Sequence, residues 1–260
     1  MEVHAHSHTA RKKWTHYLWE FLMLFLAVFC GFLAENIREH FVEKERAKEY
    51  AGSLVHDLEK DTAMIRVDIK QMKAVSSWID SVANFLKDKK INDLNNRLLY
   101  YYTEFECGYR PYTWSRATLD QIKNSGSLRY FSNDSVIIRI SAYDAFTKHM
   151  DEDYHGDEAR NDKVSAKRNN IVDLNYPFEL PEIWVANRDS LLTTALEKAK
   201  ENNLPDLQLL TNNINEIKSL VNDYLIIKGN FKVRSEHELP RLIADAAQLI
   251  SLLKKEYHLK

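Results

Sequence analysis

The chain has 260 residues, and its 36 Lys+Arg against 38 Asp+Glu leave a formal net charge of −2. That balance supplies neither the basic excess that nucleic acid needs nor the acidic excess of a disordered, solvating chain. A 45% hydrophobic share beside 28% charged residues belongs to a globular protein. The six glycines are scattered, Gly108 and Gly126 being the nearest pair. A Walker P-loop or a GxGxxG dinucleotide loop, which bring backbone up to phosphate through clustered glycines, is therefore excluded. The same scarcity speaks against a turn-rich sandwich or barrel.

In chain order, residues 1–13 form a tail in which His4, His6 and His8 alternate and Arg11, Lys12 and Lys13 stand together at the end. Closely spaced imidazoles can hold Zn²⁺, Ni²⁺ or Cu²⁺. Three of them without a scaffold bind weakly, and a solvated tail is the plainer expectation. Phe21 to Ala34 (FLMLFLAVFCGFLA) then carries no charge. Extended back to Trp14, it makes a span over 14–34 interrupted by Thr15, His16 and Glu20, about 31 Å long as a helix and so about one bilayer core. Trp14, Tyr17 and Trp19 cluster at one end, as interfacial aromatics do. A cleaved signal peptide is the rival reading, since a basic step precedes the apolar run. Phe32-Leu33-Ala34 is a poor small-x-small cleavage site, however, and charged helical sequence follows at once.

For orientation, the three basic residues before the span face Arg38, Lys44, Arg46 and Lys48 after it, the latter mixed with five glutamates. The compact, unmixed cluster favours a cytoplasmic N-terminus, which places the bulk of the chain across the membrane. Cys30 lies within the span and Cys107 outside it, so the two form no intrachain disulfide.

Within the span, Glu20, Leu24, Ala27, Gly31 and Ala34 recur by four and three. A stripe of small residues lets a second helix approach closely, because in lipid packing must supply the attraction. Glu20, on the same stripe, either snorkels to the headgroups beside Trp19 or sits in the helix contact. A second register runs over 35–90. Ile37, Ala51, Leu58, Ile65, Met72, Ile79 and Leu86 share a heptad position that Lys44 breaks. Leu54, Val75 and Val82 support the neighbouring one, interrupted by Asp61 and Asp68. This predicts a long amphipathic juxtamembrane helix of coiled-coil character, about 75 Å from Ile37 to Leu86 if unbroken. Its stripe is rotated by about 100° from the membrane stripe, so the two faces need different partners.

Beyond it, residues 91–260 read as a helical bundle packing on 35–90. A short helix is predicted over Ile91–Phe105, a turn over Cys107–Pro111, a helix over Trp114–Lys123 closed by Gly126, and a long helix over Ser135–Leu174 capped from Ser132-Asn133-Asp134. Gly156 is expected to kink or divide that helix. A loop over Asn175–Pro181, a helix over Glu182–Asn202, another from Leu204-Pro205-Asp206 to Val233, and a last helix opened by Pro240 and ending near Tyr257 complete the chain. No sustained alternation of period two appears. The fold class is all-α: an N-terminal transmembrane helix continuing into an amphipathic helix that packs in an extramembrane helical bundle.

Two clusters outside the span carry side chains that could do chemistry. Nine aromatics lie between Tyr100 and Phe131. Tyr101, Tyr109, Tyr112 and Trp114, with Arg110 and Arg116 interleaved, suit a ligand pocket or a partner surface, or else the core of a crossing helical hairpin. Lys148 to Asp157 (KHMDEDYHGD) puts His149 and Asp153 one helical turn apart with Glu152 and His155 near, a spacing from which metal sites can be built and which also describes an exposed acidic face. No nucleophile elbow, HExxH or CxxC is present, so no enzymatic activity and no cofactor are expected.

The His-rich tail, the step Arg11-Lys12-Lys13-Trp14, the span Trp19–His40 (WEFLMLFLAVFCGFLAENIREH), the segment Thr113–Phe131 (TWSRATLDQIKNSGSLRYF) and the ending Leu249–Lys260 (LISLLKKEYHLK) resemble an uncharacterised family of bacterial single-pass inner-membrane proteins, a domain of unknown function. The resemblance covers the whole chain. It implies an inner-membrane protein with a helical domain outside the cytoplasm, and it supplies no catalytic or ligand residues. The expected role is that of a membrane-anchored structural or interaction protein. Its partners would be the lipid bilayer and either further copies of itself or other membrane proteins, with no nucleic acid. An extracytoplasmic ligand-sensing bundle and a metal-handling protein are the alternatives.

Overall fold

Between Trp14 and Leu86 no proline interrupts the chain, and the helix period never lapses. The computed structural model describes residues 14–104, 111–175 and 207–259. In it this stretch is a single 73-residue helix, α1 (Trp14–Leu86), about 110 Å long. Its end is marked by Asp88 at φ 61°, a left-handed conformation that Asp tolerates better than most residues. Of the described residues 84% are helical, and their β pairing is confined to one isolated antiparallel bridge, Val172 to Leu209.

Burial divides α1 sharply. Every residue from Trp14 to Val42 is exposed, and the first buried side chain is Ala47. From there the heptad positions Ala51, Leu58, Ile65, Met72, Ile79 and Leu86 are each at most 3% exposed. A fully buried aliphatic side chain contributes about 1.5–3 kcal/mol, so this stripe is the seam that binds α1 to the other helices. Ile37, read as the start of the same stripe, is 56% exposed. The periodicity there is real, but no other helix of the described chain lies alongside to cover it.

The interrupting Asp61 is itself buried, and it serves there as an acceptor. Its Oδ1 takes the Ser115 backbone N–H at 2.8 Å and its Oδ2 the Tyr143 hydroxyl at 3.1 Å. After α1 the predicted Ile91–Phe105 helix divides into a 3₁₀ turn, Ile91–Asp93, and α2 (Asn96–Glu104). The next helix, α3 (Ala117–Asn124), starts three residues later than the sequence suggests, because residues 112–116 stay irregular, held by the bond from Ser115 N–H to Asp61 of α1 and by those of Trp114 and Arg116 to Asp151 of the helix after α3. Gly126 takes φ 67° and hands the chain into a 3₁₀ turn, Ser127–Tyr130, as the expected left-handed cap.

Asn133 caps α4 (Asp134–Arg168), its side chain accepting the Ser135 N–H at 2.9 Å. Gly156 does not end α4, whose helical backbone continues through it to Arg168. The helix stops at Arg168, short of Leu174, because residues 171–173 turn to meet the segment 207–210. There Leu210 N–H donates to Ile171 O at 2.9 Å, and Tyr100 ties both segments, accepting from Asp173 N–H at 2.8 Å and donating to Gln208 O at 2.6 Å. These bonds hold 207–210 extended, so the helix expected from Leu204-Pro205-Asp206 begins only at Asn213-capped α5 (Ile214–Val233). Pro240 sits in the first turn of the last helix, which ends at Tyr257 as expected, but that helix does not stand apart from the one before it. Helical backbone continues from α5 through a π turn, Arg234–Glu238, into α6 (Leu239–Tyr257). The wide turn, in which Leu239 N–H reaches Arg234 O, lies directly ahead of a residue that has no N–H to give.

α1 packs along α5 and α6, and α4 covers the same pair from the other side. The buried residues of these helices form one continuous core. The turn expected at Cys107–Pro111, up to residue 110, and the helix expected over Glu182–Asn202 lie outside the described residues.

Candidate functional site

Among the described residues one helix, α1, is long and apolar enough to cross a membrane, and none of its apolar window is buried. The stripe residues Glu20, Leu24, Ala27, Gly31 and Ala34 lie within it, all exposed. A Cβ added at Gly31 would meet nothing within 4 Å among the described residues. Glu20 is engaged by His16, Nε2 to Oε1 at 3.1 Å. On the opposite face Phe21, Phe25 and Phe29 stack successively at 6.3 and 5.9 Å. The helix therefore carries a small-residue face and a bulky aromatic face.

The aromatic–arginine cluster lies at the waist of the packed helices. Tyr112 is buried and stacks on Trp114 with centroids 5.1 Å apart. Trp114 Nε1 donates to Asp151 Oδ1 at 2.7 Å, and Arg116 binds the other oxygen of the same carboxylate at 2.5 Å. Arg116 also stands 3.8 Å from Asp144, which receives Lys123 at 2.6 Å and Lys148 at 2.9 Å. Burial pushes the Asp144 carboxyl up, but the two lysines together outweigh it and hold it below the usual carboxylate range. Burial, reinforced by the Asp61 charge, pushes the Tyr143 phenol up. The space these groups enclose with Asp61 is about 10 Å³, the size of one water. Here Trp114 and Arg116 fasten the segment 112–116 to α4 and Ser115 fastens it to α1, and the space enclosed among these described residues would hold a water and not an organic ligand. Tyr101 lies in α2; its side chain, like Tyr109 and Arg110, is outside the described residues, as are His4, His6 and His8.

A third site joins α4 to the π turn. Arg234 and Asp157 form an ion pair with side chains 7% and 4% exposed. Asn230 donates to Asp157 Oδ1 at 2.9 Å, and Arg234 donates to the Asp153 carbonyl at 3.2 Å. Beside this pair opens a polar cleft of about 320 Å³. His149 and Asp153 face each other at its edge, as their spacing suggests, 3.7 Å apart. His155 does not join them; it turns to Glu158 at 3.4 Å. Glu238 arrives instead, 3.8 Å from His149. No periodicity of the sequence signals Glu238, because the π turn shifts the register on which a helical reading depends. No family model, no curated protein and no solved structure matches the chain.

Proposed function

We propose that the protein is a membrane-anchored structural or interaction protein of the bacterial inner membrane that self-associates or joins a larger membrane complex. The observation that carries this is the division of α1: one unbroken helix that is apolar from Phe21 to Ala34, wholly exposed as far as Val42, and built into the helical core from Ala47 onward. In water so large an exposed apolar surface is untenable; in lipid it is the anchored state. The segment 35–46 is then a stalk about 18 Å long that lifts the helical body off the bilayer. The basic cluster Arg11–Lys13 supports a cytoplasmic N-terminus, with the body in the periplasm. The small face of the anchor supports association through Gly31, Ala27 and Ala34.

The test is extraction of the full chain from membranes. It resists high salt and alkaline carbonate and yields only to detergent, whereas a Leu26→Arg, Phe29→Arg variant is released. Neither residue touches the core, so the released variant keeps its helicity. Release of the parent chain by carbonate would exclude the anchor. Mass spectrometry of what co-purifies from native membranes separates a homo-oligomer from a mixed complex.

A further inference from the structure

His149 and Asp153 stand one turn apart on α4, and Glu238 closes the π turn. One ligand atom from each lies within 4.8 Å of those of the other two, with His149 Nε2 at 3.7 Å from Asp153 Oδ2 and 3.8 Å from Glu238 Oε1. Ligands at about 2.1 Å from a tetrahedral metal are about 3.4 Å apart, so small side-chain rotations bring these atoms into coordination.

Two further observations favour a cation here over a simple His–carboxylate pair. The second oxygen of Glu238, Oε2, is buried without a hydrogen-bond partner, a desolvated acceptor that the described chain leaves uncompensated. The cleft also carries an excess of negative charge. Glu152, Asp153, Asp157 and Glu238 line it against only Arg160 and Arg234. Of these lining charges, two negative ones stand unmatched. Arg234 is committed to Asp157 and approaches Asp153 Oδ2 only to 3.6 Å, beyond hydrogen-bond length. Asp153 Oδ2 thus stands between Arg234, an ion-pair contact at 3.6 Å, and His149 at 3.7 Å.

We propose that His149, Asp153 and Glu238 bind a divalent transition-metal ion. One imidazole and two carboxylates form a donor set that suits Zn²⁺ or Mn²⁺ and lacks the thiolates that select Cu(I). The adjoining cleft gives an entry path and space for water to complete the coordination. The π turn delivers the third ligand, since its extra residue rotates the next stretch of helix by about 100° relative to an uninterrupted α-helix. The site lies wholly outside the membrane segment and holds whether or not α1 self-associates.

The test uses detergent-solubilised full-length protein in which His4, His6 and His8 are replaced by alanine, so that the tail contributes nothing. Calorimetric titration with Zn²⁺ is expected to give one site per chain, and Co²⁺ a visible ligand-field band. Glu238→Gln and His149→Ala each weaken Zn²⁺ at least about tenfold and diminish the band, while Glu152→Gln, on the same cleft but outside the triad, leaves both unchanged. The proposal is overturned by the absence of saturable binding below about 1 mM, by a site indifferent to both triad substitutions, or by equal weakening with Glu152→Gln, which marks diffuse charge attraction. Circular dichroism of each metal-free variant checks its fold. If His149→Ala loses helicity, Asp153→Asn takes its place under the same criteria.

Discussion

Arg234, the first residue of the π turn, meets Asp157 of α4 where both side chains are less than a tenth exposed. A charge so placed must be matched, because isolated ionised groups in the interior cost several kcal/mol each. The match is detailed: Asn230, one turn before Arg234, holds the other Asp157 oxygen, and the Arg234 guanidinium reaches on to the Asp153 carbonyl. Three contacts thus fix the position of the π turn along α4. They also set where Glu238 falls relative to His149.

Removing one partner should be far worse than removing both. Arg234→Met is expected to cost about 3–5 kcal/mol, as is Asp157→Leu, because each leaves a buried charge alone. The double variant should recover most of the loss, since an apolar pair of similar volume replaces the ion pair. Thermal unfolding of the three variants followed by circular dichroism gives the cycle. Equal and additive losses would show that the two charges do not depend on one another.

This pair illustrates what a sequence can and cannot disclose. The long helix, its heptad seam from Ala51 to Leu86 and the exposed apolar segment are legible because they rest on local periodicity. The Asn133 cap and Gly126 turn are legible because side-chain type dictates them. The features that escape depend on contacts distant in sequence. The extended course of 207–210 is imposed by Tyr100 and Ile171, and the continuity of α5 into α6 by a π turn that no residue pattern announces. Asp61 reads as a flaw in the heptad seam because its donors, Ser115 and Tyr143, come from other elements. The aromatic cluster draws attention for its density, yet Tyr100 and Trp114 are engaged in tying segments together, and Tyr112 is buried against Trp114.

Asp61 leads to a second prediction. Asp61→Asn keeps an acceptor for the Ser115 N–H, and the Tyr143 hydroxyl can turn to accept from the amide, so the loss should stay near 1 kcal/mol. Asp61→Leu strands both donors beneath the Trp114 segment and should cost about 2–4 kcal/mol. Denaturant unfolding of both variants checks the order. If leucine is tolerated as well as asparagine, the two hydrogen bonds contribute nothing net.

Asp68 makes stability depend on pH in the direction opposite to an ion-paired acid. Burial pushes its carboxyl up from the ordinary 3.8 to about 7, so the folded chain binds this proton more tightly than the unfolded chain. The associated stability is complete below about pH 4 and is lost as pH rises through about 7. Asp68→Asn, which mimics the protonated form, should therefore match the parent at pH 4 and exceed it at pH 8 by an amount on the order of 2 kcal/mol, allowing for partial solvent access. The comparison is made between the two proteins at each pH, which cancels the contribution of Asp144 and other carboxylates. A constant difference from pH 4 to pH 8 would rule out titration of Asp68 in this range.

Gly31 offers the cleanest probe of association, because its open surroundings remove the usual ambiguity of a bulky substitution. Among the described residues nothing lies within 4 Å of a Cβ at this position, so Gly31→Leu adds its bulk without meeting the described packing of the protomer. Only a neighbouring helix could register the added side chain. If the face of Leu24, Ala27, Gly31 and Ala34 is a close helix contact, leucine there should weaken association in lipid nanodiscs by about tenfold or more, equivalent to about 1.4 kcal/mol. Phe29→Leu, on the aromatic face, serves as the control and should leave it unchanged. Sedimentation or mass photometry reads the result directly. An oligomer that survives Gly31→Leu but not Phe29→Leu would move the contact to the stacked phenylalanines. One that survives both would place association in the extramembrane helices, independent of the anchor.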